Sequence, residues 1–334
     1  MEIFLMVLGG LGLFLFAINN LSDTLRELIG HKANKWLDLF TKNVVTSVIT
    51  GTVATILLDS SSAVIIMTIV LVNAGALTFR QSLGIVMGAN IGTTFSSQLI
   101  ALDIGQYSPI PIFLGLVFSF FARSEKVSKS ARVVLFFGIL FFGLYTMERA
   151  VEPLKDHEQF LSWMEKLDSP FRGTLIGALV TLVIQSSSAT VGMVITLAKK
   201  ELINLPGAIA VMLGAELGTC SDTLMATIRS DRQAVKTGLF HLFFNIICIA
   251  FGLAVFPQFV TFIEWLSKSA GMEQKIANAH MIFNIAGVVL FLPLIPSIER
   301  LLNRLLPEKQ KAAMAQAERL PSMSTKDSHD STRA

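Results

Sequence analysis

Gly51-Thr-Val-Ala-Thr55-Ile-Leu-Leu-Asp59-Ser60-Ser61-Ser62-Ala63 and Gly177-Ala-Leu-Val-Thr181-Leu-Val-Ile-Gln185-Ser186-Ser187-Ser188-Ala189 are two copies of one pattern. Downstream, Gly88-Ala89-Asn90-Ile91-Gly92-Thr93 pairs with Gly214-Ala215-Glu216-Leu217-Gly218-Thr219. The offset is 126 residues at both motifs (185 − 59 and 214 − 88), and Met67/Met193 and Leu71/Leu197 keep the same register. Two separate motifs at one offset mark an internal duplication.

The chain around these copies suits a bilayer. Of its 334 residues, 52% are hydrophobic and only 15% charged, against roughly 25% charged in an average soluble domain; mean hydropathy is +0.63. So few polar residues cannot cover a water-facing surface of this size, which excludes a disordered, a collagenous and an ordinary soluble protein. A formal net charge of +3 is too small to suggest nucleic acid as a partner. Cys220 and Cys248 lie in apolar runs and form neither a disulfide framework nor a zinc spacing. Apolar runs at 3–21, 110–122, 133–147, 235–256 and 276–298 read as membrane helices, a span taking roughly twenty residues. The first lacks both a preceding basic residue and a following cleavage site, so it reads as a retained helix, not a signal peptide. Segments 43–102 and 171–228 are apolar too, but Ser, Thr, Asn and Gly interrupt them.

Basic residues set the orientation. Arg26, Lys32, Lys35 and Lys42, then Arg123, Lys126, Lys129 and Arg132, then Arg229, Arg232 and Lys236, then Arg300, Arg304, Lys309 and Lys311 mark four cytoplasmic stretches. Residues 103–108 carry no Lys or Arg, and 148–172 is rich in acids, from Glu148 and Glu152 to Asp168. The N-terminus is then outside the cytoplasmic (inner) membrane and the C-terminus inside. On that assignment 43–102 and 171–228 cross in opposite directions, the inverted-topology repeat common among secondary transporters. The fold expected is an all-α polytopic membrane protein of two inverted repeats with interrupted or re-entrant helices. Its first membrane half is 1–147 (repeat core 43–102), followed by an external amphipathic connection at 148–170. The second half is 171–300 (repeat core 171–228), with a cytoplasmic, disordered tail at 301–334. Stretches 22–42 and 150–168 read as amphipathic and are expected to lie along the two interfaces.

Three consecutive serines cannot all face one packing partner, because neighbours on a helix point different ways. They suit a break between half-helices, where irregular backbone is tolerated at membrane depth only if it lines a protein cavity. Exposed N–H groups at a half-helix N-terminus favour an anion, while hydroxyls and carbonyls are hard ligands of the kind a sodium ion takes. The Gly-Ala-Asn-Ile-Gly-Thr motif is expected to add a second break per repeat, its glycines permitting close backbone approach. Serines in membrane helices also serve simply as interhelical hydrogen-bonding groups; the duplication of the triplet together with its acid or amide neighbour favours a functional role.

At these residues the chain resembles the type II sodium-phosphate cotransporter family, whose hallmark is a Gln-Ser-Ser-Ser motif in each of two inverted repeats. Gln185-Ser186-Ser187-Ser188 matches it fully, and Asn73-Ala74-Gly75-x-Leu77-Thr78-x-Arg80-Gln81 followed by Gly88-Ala89-Asn90-Ile91-Gly92-Thr93-Thr94 looks like a bacterial member. The resemblance covers about residues 1–300. It implies symport of inorganic phosphate with sodium as coupling ion, no other cofactor, and no enzymatic activity. It further implies that Ser60, Ser61, Ser62, Gln185, Ser186, Ser187 and Ser188 hold the substrate, and that Asp59, Asn90, Thr93, Thr94, Glu216 and Thr219 bind or couple the cation. Asp59 stands where the family has Gln, and Glu216 where it has Asn. An ionised carboxylate at membrane depth is costly unless paired with a cation. Three readings follow: more or different cations, a protonated carboxylate that couples protons, or a substrate other than phosphate.

His241-x-x-Phe244-Asn245 and His280-x-x-Phe283-Asn284 repeat one pattern on the last two long apolar runs. His and Asn at i and i+4 share a helix face, which reads as interhelical hydrogen bonding, with a proton relay as the sharper alternative. Asn19 and Asn20 are expected to end the first helix as a cap or anchor, and Lys199 and Lys200 to lie in a vestibule. The competing functions are a carrier of another oxyanion or a carboxylate, an exporter driven by a different ion, and an intramembrane hydrolase using a serine with His241 or His280. Against the hydrolase, no Gly-x-Ser-x-Gly context is present. A channel is a further possibility, but no segment resembles a selectivity filter.

Overall fold

The computed structural model describes residues 1–29, 43–102, 104–228 and 230–307, and among these the chain is helical with no strand. Most of the expected interface stretch at 30–42 and the tail from 308 to 334 lie outside the described residues. Five helices are long and apolar enough to cross a bilayer, or seven if each bent helix pair is one span. This is a multi-pass membrane protein.

Each copy of the serine motif folds as two short helices joined at a sharp break. In the first, α2 (Val44–Leu58) ends at Asp59 and α3 (Ser61–Asn73) begins after Ser60. Asn43 caps α2 through a capping box, accepting from the Thr46 N–H at 2.9 Å while Thr46 Oγ1 accepts from the Asn43 N–H at 3.0 Å. In the second copy the break at Gln185 and Ser186 separates two further helices, Pro170–Ile184 and Ser187–Lys199 (α8 and α9 in the chain order below). Asp59 (φ 49°) and Gln185 (φ 57°) both take the left-handed conformation that stops a helix, and Ser60 and Ser186 both restart it. The serine hydroxyls accept from the N–H of Ala63 and Ala189, each at 3.2 Å. A left-handed non-glycine residue costs about 1 kcal/mol or more and persists only where its surroundings hold it.

A long first helix, α1 (Glu2–Ile29), precedes these breaks. Contrary to expectation, Asn19 and Asn20 do not end it: Asn20 Nδ2 donates to the Phe16 carbonyl at 2.7 Å and Thr24 Oγ1 to the Asn20 carbonyl at 2.7 Å, so both amides lie mid-helix. After α3 come α4 (Phe79–Ile100), α5 (Pro109–Phe121), α6 (Glu125–Val151) and the short α7 (Glu158–Glu165). α7 and its flanking 3-10 turn bend by 105° into α8. α9 leads into α10 (Leu205–Gly218) and α11 (Cys220–Ala226). The chain continues through α12 (Arg232–Ala254), α13 (Phe256–Leu266), α14 (Met272–Phe291) and α15 (Ile295–Leu305).

The glycine motif does not break the first repeat. α4 runs unbroken through Gly88–Thr93, whereas the second copy stops at Thr219 between α10 and α11. Its glycines act in packing instead. A Cβ on Gly88 would meet the Val48 carbonyl of α2, and one on Gly214 the Thr174 carbonyl of α8; Gly51 and Gly177 face Ile85 and Val211 in the same way. Each of these contacts recurs at the 126-residue offset, so each hairpin's first arm lies against its following helix with no room for a side chain. α1 and α6 meet comparably closely, Gly10 against the Gly143 carbonyl and the reverse. Outward-facing apolar side chains such as Phe113, Phe120, Phe121 and Val183 are well exposed, as lipid contact requires.

Lys199 and Lys200 end α9 at Glu148 of α6, 2.7 and 3.1 Å from its two oxygens, with all three side chains at most a quarter exposed. One carboxylate thus holds two ammonium groups against the second hairpin. Charge-assisted hydrogen bonds are worth roughly 1.5–3 kcal/mol, so Glu148→Gln is expected to lower stability by about that much, read as a fall in thermal midpoint in detergent. A midpoint equal to wild type would show the lysines are satisfied elsewhere.

Candidate ion-binding cavity

The two helix breaks meet. A pocket of about 450 Å³, including its open mouth, is lined by Asp59, Ser60, Ser61 and Ser62 from the first break and by Gln185, Ser186, Ser187 and Ser188 from the second. Thr219, where α10 stops, and Ile18, Asn19 and Ser22 of α1 complete it. All seven serine-motif residues expected to hold substrate are therefore in one wall set, with Asp59 and Thr219 beside them.

The lining hydroxyls divide by task. Ser60 and Ser186 cap their helices. Ser61 and Ser187 are the first helical residues, 7% and 5% exposed. Ser62 reaches across to the second repeat, with Oγ 3.3 Å from Thr219 Oγ1 and donating to Asp222 Oδ2 at 3.1 Å. Asp59 Oδ1 accepts from Ser96 Oγ of α4 at 2.5 Å, and Ser22 Oγ lies 3.5 Å from the Asp59 carbonyl. No Lys or Arg is among the lining residues. The cavity thus sets two half-helix N-termini, whose first N–H groups lack intrahelical acceptors, beside carboxylate and hydroxyl oxygens. The N–H groups favour an anion and the oxygens a hard cation.

The remaining expected cation residues lie elsewhere. Asn90 is buried, its Nδ2 without a hydrogen-bond partner. Thr93 and Thr94 donate back to the Ala89 and Ile91 carbonyls of their own helix. Glu216 is buried against His280, its Oε1 2.6 Å from Nε2, and does not line the cavity. Sequence reasoning passed over Ser96 and Asp222, although the signal was present: they too are 126 residues apart, three after Thr93 and Thr219. At these two register positions each repeat has one carboxylate and one neutral group, with the places exchanged: Asp59 and Ser96 in the first, Gln185 and Asp222 in the second.

The histidines act between helices. His241 Nδ1 meets Thr223 Oγ1 at 2.8 Å, and His280 Nδ1 meets Ser97 Oγ at 2.6 Å. Neither bonds a serine of the two triplets, which removes the geometric basis for a hydrolase built on those serines.

Broken helices around a polar cavity, inside an apolar all-helical chain, are an arrangement many secondary transporters share. The chain belongs to the Na+/Pi-cotransporter family, whose model matches residues 13–149 and 154–283. It is 30% identical over 297 residues to "Uncharacterized protein YqeW" of Bacillus subtilis, covering 89% of this chain and 96% of that protein. It is 24% identical over 252 residues to "Putative inorganic phosphate export protein YjbB" of Escherichia coli K12, covering 75% of this chain and 46% of that protein, so it spans about half the length of this relative. Human "Sodium-dependent phosphate transport protein 2B" is 30% identical over 125 residues, 34% of this chain and 18% of that protein. No solved structure matches the chain.

Proposed function

We propose that this protein is a secondary active transporter that moves inorganic phosphate across the cytoplasmic membrane together with sodium. The observation that carries this reading is the meeting of both serine breaks in one cavity that offers N–H donors and carboxylate oxygens but no cationic side chain. A phosphate placed there lies near the Asp59 carboxylate, a repulsive arrangement unless cations enter with it. Sodium held by Asp59, the Ser62–Thr219–Asp222 group and neighbouring serines supplies that compensation and makes anion binding depend on the cation. The two hairpins are read as inverted repeats, with the N-terminus outside and the C-terminus inside. Alternating access then exposes the same cavity to either side. The names of the human and Escherichia coli relatives support phosphate as the substrate, and that of the human relative supports sodium dependence.

Purified protein in liposomes, loaded with or facing labelled phosphate, tests this reading. Phosphate flux that rises with a sodium gradient is expected; none, with intact protein in the bilayer, would overturn it. Asp59→Gln supplies the amide that Gln185 already provides in the second repeat. It is expected to weaken apparent sodium affinity about tenfold, or about 1.4 kcal/mol, with the phosphate site retained. An unchanged sodium dependence would remove Asp59 from the cation site.

A further inference from the structure

The buried contact between Glu216 of α10 and His280 of α14 lies outside the cavity, on helices whose neighbouring residues reach it. Glu216 and His280 are 1% and 0% exposed, and His280 is held at both nitrogens, by Glu216 Oε1 at 2.6 Å and by Ser97 Oγ of α4 at 2.6 Å. Ser97 adjoins Ser96, which donates to Asp59 in the cavity. Glu216 is one helical turn before Thr219, which lines the cavity and meets Ser62. The pair therefore ties a helix of the first repeat to one of the second through α14.

The other half of the molecule shows what is special here. Thr223 stands 126 residues after Ser97 and holds His241 Nδ1 in the same manner, but His241 Nε2 lies 4.0 Å from Cys220 Sγ. The position equivalent to Glu216 is Asn90. Glu216 thus reaches a histidine, whereas the amide Nδ2 of Asn90 at the same register has no hydrogen-bond partner among the described residues.

Burying a net charge costs several kcal/mol unless it is compensated. The net-neutral form of this pair carries one proton more than a carboxylate beside a neutral imidazole. Losing it leaves a buried negative charge, and the nearby carboxylates Asp59 and Asp222 already accept from Ser96 and Ser62. Arg80 of α4 pairs with Glu299, and Lys199 of α9 with Glu148. Arg232 and Lys236 of α12 bond the Pro307 carbonyl and Asn303. Glu264 of α13 is exposed, and Glu273 and Lys275 lie in the first turn of α14. The nearby thiols are Cys248 of α12, against Gly287, and Cys220 of α11, against His241. Ser97, His280 and Glu216 are the residue types of a hydrolase triad, but Ser97 is sealed from solvent and has no access to a substrate.

We propose that Glu216 and His280 form a proton-binding site, separate from the ion cavity, whose bound proton clamps the two walls of that cavity together. Release of the proton sets a carboxylate free inside the packed interface, which must then open to water to solvate it. Proton occupancy in this way biases the opening of the cavity.

One test needs no transport. Nitrogen NMR of histidine-labelled protein in nanodiscs, with His280 assigned by its loss in His280→Gln, is expected to show an imidazole sharing or carrying the extra proton in the wild type. In Glu216→Gln it should become an ordinary neutral imidazole; the same neutral form in both would overturn the proposal. Should Glu216→Gln fail to fold, Glu216→Asn introduces the amide found at position 90 and serves equally. A second arm rests on the phosphate-transport reading. The pH profile of liposome uptake includes the ionisation of phosphate itself in every variant, so only the difference counts. Wild type should show an additional pH dependence of up to about tenfold per pH unit, the limit for one proton, and Glu216→Gln should lack it. Coincident profiles would overturn the proposal, whereas absence of uptake in the wild type would overturn the transport reading and leave the NMR result to decide the proton site.

Discussion

Gly177→Val and Gly214→Val are each expected to yield protein that does not reach a single folded species in detergent, seen as loss of the monodisperse peak in size-exclusion chromatography. At Gly177 the added Cβ falls on the Val211 carbonyl of α10, and at Gly214 on the Thr174 carbonyl of α8. The obstacle is backbone in both cases, so no rotamer change relieves it and the two helices must move apart. Overpacking a well-filled interface costs typically about 1–3 kcal/mol and more where relaxation is blocked. That is a large part of the roughly 5–15 kcal/mol that holds a domain folded. Separating α8 from α10 also displaces Gln185 and the cavity wall it carries. Gly51→Val and Gly88→Val should behave alike, since the same contacts recur in the first repeat. Gly12→Ala is the control, with nothing within 4 Å of its Cβ. A wild-type elution profile and thermal midpoint for Gly177→Val would refute the packing argument.

These glycines also show where sequence reasoning succeeded and where it stopped. The 126-residue offset located both hairpins and both Asp/Gln-Ser breaks, because a chain that needs a non-helical turn at membrane depth must spend polar residues on it, and those stand out against an apolar background. By the same criterion the Gly-Ala-Asn-Ile-Gly-Thr motif reads as another break. In α4 it is an unbroken helix: glycine at four-residue spacing signals a bare helix face as readily as an interruption, and only the partner helix decides which. Glu216 was noticed as a charge in the wrong place, yet its partner His280 is 64 residues away, and no spacing rule links them. Asp222 escaped because it lies outside the conspicuous motif, although the register already reached it. The carboxyl end of α1 went wrong because an Asn pair is a common stop signal, whereas here Asn19 is turned to the cavity and Asn20 bonds its own helix.

Gln185→Gly is expected to abolish phosphate transport while leaving the protein as stable as wild type, and this combination separates site from scaffold. Gln185 ends α8 in a left-handed conformation (φ 57°), which glycine adopts without strain. Relief of about 1 kcal/mol offsets the greater freedom glycine has in the unfolded chain, so the hairpin should persist. The amide that lines the cavity is gone. Ser187→Ala and Ser61→Ala extend the argument. Neither hydroxyl caps its helix, since Ser186 and Ser60 do so, and both line the cavity. Their removal should cost little stability, whereas losing one hydrogen bond to a charged ligand, roughly 1.5–3 kcal/mol, lowers uptake at limiting phosphate about 10- to 100-fold. Ser186→Ala should show the opposite emphasis, with about 1 kcal/mol of lost stability from the missing cap alongside whatever transport defect follows. Thermal midpoints and liposome uptake measured on the same preparations decide the matter. Full uptake in Gln185→Gly, Ser187→Ala and Ser61→Ala together would move the substrate site away from the meeting point of the two breaks. Loss of folding in Gln185→Gly would show instead that the glutamine side chain, not the turn, holds the second hairpin in place.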